Sequence, residues 1–86
     1  MLEQKLKAGE LVYFSNQNWC EENQNDDVRG GWVSLSKFDG YNIHFNGAVI
    51  GNYKTIKGLK NRLDKLMGFW KCEFISSEEA FLNDVL

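Results

Sequence analysis

The spacing of apolar side chains divides the chain into short elements. Leu2 and Leu6, four apart among good helix formers, predict a helix over residues 2–8 with Gly9 just past its end. The compact run Leu11-Val12-Tyr13-Phe14 predicts a strand over 10–14. Residues 15–31 show neither the helical nor the strand period and close on Gly30-Gly31. They are expected to be a long loop, and a loop of that length tends to be functional or disordered.

Asp39-Gly40 and Asn46-Gly47 suit two-residue turns with positive φ at both central positions. Together they predict a three-stranded meander over 32–38, 41–46 and 48–53. With turns of that length, Trp32, Ser34, Ser36, Phe38, Tyr41, Ile43, Phe45, Ala48 and Ile50 share one face, the expected core. Val33, Leu35, Lys37, Asn42, His44, Asn46, Val49 and Tyr53 share the other. Its apolar members Val33, Leu35, Val49 and Tyr53 call for cover, and a homodimer through this exposed sheet face would supply it. A bulge or a longer first turn would instead carry Val33 and Leu35 into the core.

Thr55 reads as a helix N-cap and Gly68 as the residue past the helix end. Between them Ile56, Leu59, Leu63, Leu66 and Met67 fall within an arc of about 100°, one packing face. Gly58 in the first turn marks a close helix–sheet approach. Trp70 to Ile75 alternates, with Trp70, Cys72 and Phe74 on one side, and predicts a further strand. Ser76-Ser77-Glu78-Glu79 has the form of a capping box opening a last helix, with Phe81, Leu82, Val85 and Leu86 on one face. The resulting class is α+β: a small, mainly antiparallel sheet, the meander plus one or two further strands, packed by a central amphipathic helix and a C-terminal helix.

Composition narrows the field. Eighty-six residues are expected to form one domain, residues 1–86. At 43% hydrophobic and 26% charged, the sequence is that of an ordinary soluble globular protein. No apolar run approaches the roughly 18 residues of a spanning helix, and Met1-Leu2-Glu3-Gln4-Lys5 lacks the pattern of an export signal. The expected location is cytoplasmic. Cys20 and Cys72 make at most one disulfide, and with no CxxC and His44 as the single histidine they compose no zinc site. Cys72, between Trp70 and Phe74, is expected to be a small buried hydrophobe. Cys20, in a polar stretch, is expected to be the more exposed thiol, with Glu21 and Glu22 raising its pKa.

Catalytic groups are scarce. The glycines match neither phosphate-loop nor dinucleotide spacing. His44 shares its strand face with Asn42 and Asn46, without an assignable nucleophile or orienting carboxylate. Glu21, Glu22, Asp26 and Asp27 lack the spacing of a calcium loop. The expectation is a protein that is not an enzyme and has no catalytic residues, cofactor or metal.

Net charge is −2, but it is unevenly spread. Residues 10–27 carry Glu10, Glu21, Glu22, Asp26 and Asp27 and no base, for −5. Residues 52–71 carry Lys54, Lys57, Lys60, Arg62, Lys65 and Lys71 against Asp64, for +5. Residues 72–86 carry Glu73, Glu78, Glu79 and Asp84, for −4. Trp19 amid the acidic loop either folds back onto the sheet, covering its half-apolar second face, or binds a partner: the indole as anchor, with Glu21, Glu22, Asp26 and Asp27 meeting a basic protein surface. The alternative is a nucleic-acid-binding module that uses the basic helix 55–67 through Lys54, Lys57, Lys60 and Lys65, with Asp64 as an ion-pair partner for Lys60. A sequence pI near 5.3 favours the protein-partner reading.

Two resemblances bear on these readings. Gly51-Asn52-Tyr53-Lys54-Thr55, entering the helix after three antiparallel strands, resembles the strand-to-helix junction of apetala-two-type DNA-binding domains over Gly31–Leu66. Such domains present Arg and Trp from the sheet, whereas the outward strand positions expected here offer Lys37 and His44, so no DNA-contact residue carries over. In size, Asn/Lys-rich composition and lack of catalytic groups, the chain is also similar to phage-encoded accessory proteins, among them inhibitors of bacterial defence such as anti-CRISPR proteins. That likeness implies a non-enzymatic inhibitor acting through surface contacts.

Overall fold

The computed structural model describes residues 2–84. In chain order the elements are α1 (Leu2–Lys7), β1 (Val12–Ser15), α2 (Gln17–Glu22), β2 (Gly30–Leu35), β3 (Tyr41–Phe45), β4 (Ala48–Tyr53), α3 (Ile56–Trp70), β5 (Glu73–Ile75) and α4 (Ser77–Leu82). The strands form one antiparallel sheet in the order β4-β3-β2-β1-β5. This is the α+β architecture that the sequence predicts, with two strands added to the meander.

The inner face of the sheet meets α1 and α3. Leu6, Leu59, Leu63 and Leu66 pack there against Phe14, Val33, Tyr41, Ile43 and Phe45. Neighbours along a strand point to opposite faces, so the cross-strand row Tyr13–Trp32–His44–Val49 faces outward. Helix α4 covers the β1 side of that outer face: it contacts β1, buries Ala80 completely and leaves Tyr13 buried. Asn83 and Asp84 at its end border the same hollow as Trp32.

The face expected from two-residue turns is therefore wrong in β2, and the alternative of a longer first turn holds: Val33 is fully buried and Leu35 lies on the core side, though 42% exposed at its edge. Leu35, not Phe38, stands opposite Tyr41, and Ser36 N–H donates to the Gly40 carbonyl at 2.9 Å. The connection spans five residues, with Gly40 at φ +77°. A register shift of three is odd, so it exchanges faces: Val33 enters the core, while Trp32 and Ser34 turn outward. Phe38, assigned to the core, is 97% exposed in the turn. The exchange buries a β-branched apolar residue and leaves the serines near water. The second turn has two residues, with Asn46 at φ 53° and Gly47 at φ 84°. Ile43 faces Gly51 but His44 faces Val49, so Ile50 is an extra residue, and beyond it Tyr53 returns to the core side opposite Tyr41. The apolar patch expected to drive a sheet-face homodimer is thus dispersed, with Val33 and Tyr53 on the inner side. Gly31 is needed where β2 crosses β3, because a Cβ there would lie 1.8 Å from the His44 carbonyl oxygen.

Helix α3 starts as predicted, with Thr55 Oγ1 accepting from Gly58 N–H at 3.1 Å. A Cβ at Gly58 would meet this cap oxygen at 3.3 Å and the Tyr53 ring at 3.9 Å. The helix continues through Gly68 to Trp70 and ends on Lys71 in the left-handed conformation. Trp70 lies on the same helical face as Leu59, Leu63 and Leu66 and packs on Phe45, ring centroids 5.9 Å apart. Partly burying the Trp70 indole against the core outweighs the roughly 1 kcal/mol that a mid-helix glycine costs. Trp70 therefore belongs to the helix and not to the following strand, which is limited to Glu73–Ile75. Ser76 Oγ accepts from Glu79 N–H at 3.1 Å, the predicted cap of α4. The helix buries Ala80, leaving Phe81 72% and Leu82 74% exposed. Val85 and Leu86, assigned to the same apolar face, lie outside the described residues. Among the described residues no helix is long and apolar enough to cross a membrane.

Candidate functional site

Residues 15–31 are not a structureless loop. Ser15 Oγ accepts from Gln17 N–H at 3.1 Å, and Cys20 N–H donates to the Asn16 carbonyl at 2.9 Å, opening α2. The helix closes where the Asn23 backbone and side-chain N–H groups both donate to the Trp19 carbonyl. Cys20 is its one buried residue, which explains why no apolar period announced it.

Asn16 ties this helix to the returning chain. It is buried, donates from Nδ2 to the Asp27 carbonyl at 3.0 Å, and accepts at Oδ1 from Arg29 N–H. Its own N–H donates to the Arg29 carbonyl at 2.9 Å. Asn18 of α2 also donates to the Glu73 carboxylate at the start of β5. The segment is thereby fixed to the end of the sheet where α3 finishes.

The predicted partner-binding residues all lie on α2 and the segment after it, but the structure brings only Trp19 and Asp27 to one cleft. Trp19 is half-buried and lines a small cleft of about 230 Å³ with Asp27, Phe69, Trp70 and Lys71. Glu21, Glu22, Asp26 and Asp27 are all exposed. Glu21 accepts from Gln17, and Asp27 Oδ1 receives Arg29 Nε at 3.0 Å. The Arg29 guanidinium sits 4.2 Å above the Trp70 ring, and Phe69 meets Trp70 edge to face at 5.0 Å. The site is therefore a cleft that Trp19 shares with Phe69 and Trp70, bordered by one carboxylate, Asp27, while Glu21 and Asp26 line a separate hollow with Cys20 and Val28. Arg29, Phe69 and Trp70 were not singled out for it, because their role depends on where α3 ends.

The two thiols lie on the structural side of this site. Cys20, expected to be exposed, is 2% exposed, and its Sγ is 3.6 Å from the Asp27 carbonyl. Burial foremost, then the charges of Asp27 and Asp26, raise its pKa; Glu21 and Glu22, named for that role from sequence, face solvent. Cys72 is partly buried against the core, and burial followed by the neighbouring Cys20 pushes it up to about 11. Neither thiol is poised as a nucleophile.

The basic residues do not form one surface. Lys54 stands 3.9 Å from Asp39, and Thr55 is engaged in capping. Lys57, Lys60 and Lys65 are all exposed and spread around the polar side of α3 instead of forming one stripe. No ion pair joins Lys60 to Asp64 among the described residues. Lys65 instead lines a concavity with Arg62, Leu66, Phe69 and Trp70. His44 stacks on Trp32, centroids 4.6 Å apart and rings 8° from parallel, in the outward row. Among the described residues no group of three or more His, Cys, Asp or Glu side chains is placed to hold a metal ion.

Compared with family models, curated proteins and solved structures, the chain matches none.

Proposed function

We propose that this is a non-enzymatic binding protein that engages a basic protein surface through its acidic α2 end. The observation that carries the reading is Trp19, half-buried in a cleft with Phe69, Trp70 and the exposed Asp27, on a segment whose further carboxylates Glu21, Glu22 and Asp26 are also exposed. A held aromatic offers contact area at small entropic cost, and such residues dominate interface energies. The carboxylates speed encounter with a cationic partner and repel nucleic acid. A phage or mobile-element inhibitor that occupies the basic cleft of a nucleic-acid-handling enzyme, in the manner of anti-CRISPR proteins, is the biological form that suits such a surface.

Affinity capture from bacterial cells tests the reading with three matched baits: the native chain, Trp19→Ala, and Glu21→Lys combined with Glu22→Lys. The expected result is a basic protein retained by the native bait, resistant to nuclease treatment, and reduced about tenfold or more by either variant, as for a central anchor. Equal retention by all three baits overturns it. A gel shift by the native chain at about 50 mM salt, abolished on Lys57→Glu and Lys60→Glu, replaces it with the nucleic-acid reading.

A further inference from the structure

We infer that the protein associates with a second copy of itself, the exposed acidic face of α4 on one chain seating in the cationic concavity on α3 of the next. The concavity, about 500 Å³, is lined by Arg62, Lys65, Leu66, Phe69 and Trp70. Its charged members are both cations, neither is in an ion pair among the described residues, and Phe69 is 77% exposed. An apolar floor beneath two positive charges fits a carboxylate flanked by apolar groups.

The chain carries that pattern once more, in complementary form. On α4, Phe81 and Leu82 stand three and four residues after Glu78, so the three share the solvent side opposite the buried Ala80. Glu79 flanks them and is also exposed. One apolar–acidic ridge and one apolar–basic groove, drawn from the −4 and +5 segments, match in sign and in character. They cannot meet within one chain, since α3 packs on the inner face of the sheet with Val33 and Ile43 while α4 packs on the outer face over Tyr13. The contact is therefore heterologous, ridge to groove, and raises the mass above that of one chain whether it closes in a ring or extends. The groove shares Phe69 and Trp70 with the Trp19 cleft, but its charges, Arg62 and Lys65, and the α4 ridge are not part of that cleft, so variants at these positions test this inference separately from the proposed function.

Sedimentation equilibrium tests it, from about 10 µM to about 1 mM, the range of a small contact. The weight-average mass should rise with concentration from 10.0 kDa and fall back in about 0.5 M salt, where exposed charges are screened. Arg62→Glu with Lys65→Glu, or Glu78→Lys with Glu79→Lys, should each weaken association about tenfold. An equimolar mixture of the two variants should associate again, the reversed groove accepting the reversed ridge. Phe81→Ser, at a side chain already in solvent, should weaken association without lowering the melting temperature. A mass of one chain throughout, or association indifferent to both reversals, overturns the inference. So does a native chain that stays monomeric but binds a single-stranded oligonucleotide through Arg62 and Lys65, which makes the groove a phosphate site.

Discussion

At the scale of single residues, buried polar groups decide where the chain can go. Asn16 has three roles: its carbonyl starts α2, its side chain holds Asp27 and Arg29, and its N–H pairs with Arg29. A buried amide without such partners would cost about 1–3 kcal/mol per unmet group. Nothing in the sequence marks this Asn among its many neighbours, because its role exists only once β1 and β2 pair. Cys72 offers a sharper test of local environment. Folded, its thiol is pushed up to about 11, against an ordinary value of 9.0. Between those values the folded chain keeps the proton that the unfolded chain releases, so this contribution is complete below pH 9.0 and is lost as pH rises to about 11. The stability difference between the native chain and Cys72→Ala, followed by urea unfolding, should therefore narrow over that interval. A constant difference would place the thiol in a water-like environment.

At the scale of elements, the strength of a local signal did not ensure its placement. Asn46-Gly47 specified its turn because both residues take positive φ, a condition few other dipeptides meet. Asp39-Gly40 was equally suggestive, yet only Gly40 has positive φ there, and the turn extends over five residues. Register followed tertiary packing, which prefers Val33 inside to Trp32. The α3 face and both serine and threonine caps were legible because they depend on neighbours within one turn. The end of α3 was not, because it depends on Phe45 across the fold. The consequence is measurable. Phe38→Ser should change stability by no more than about 0.5 kcal/mol, as for any exposed side chain away from structural features. Val33→Ala should cost about 2 kcal/mol through lost burial and the cavity left behind. The register inferred from two-residue turns requires the opposite order, so a pair of thermal melts separates them.

At the scale of the whole molecule, the acidic and basic segments are opposed along the chain but joined in space by one side chain. Arg29 reaches Asp27 through Nε and covers Trp70 with its guanidinium, linking the segment after α2 to the last turn of α3. This explains how a polar stretch with one buried thiol stays in place: Asn16 holds it to the returning chain, Asn18 to the start of β5, and Arg29 to the end of α3. A planar, delocalised cation suits both contacts, whereas a lysine ammonium can satisfy one of them as a point charge. Arg29→Ala should therefore lower global stability by only about 1 kcal/mol while amide exchange in residues 17–28 accelerates well beyond that of the sheet. Arg29→Lys should fall nearer to the alanine variant than to the native chain. If the acidic end is the binding surface, loosening it adds an ordering cost to every encounter, so Arg29→Ala should weaken partner capture even though its charge change makes the end more acidic. Unchanged exchange in residues 17–28 would assign the anchoring role to Asn16 and Asn18, and a gain in capture would show that charge outweighs preorganisation at this surface.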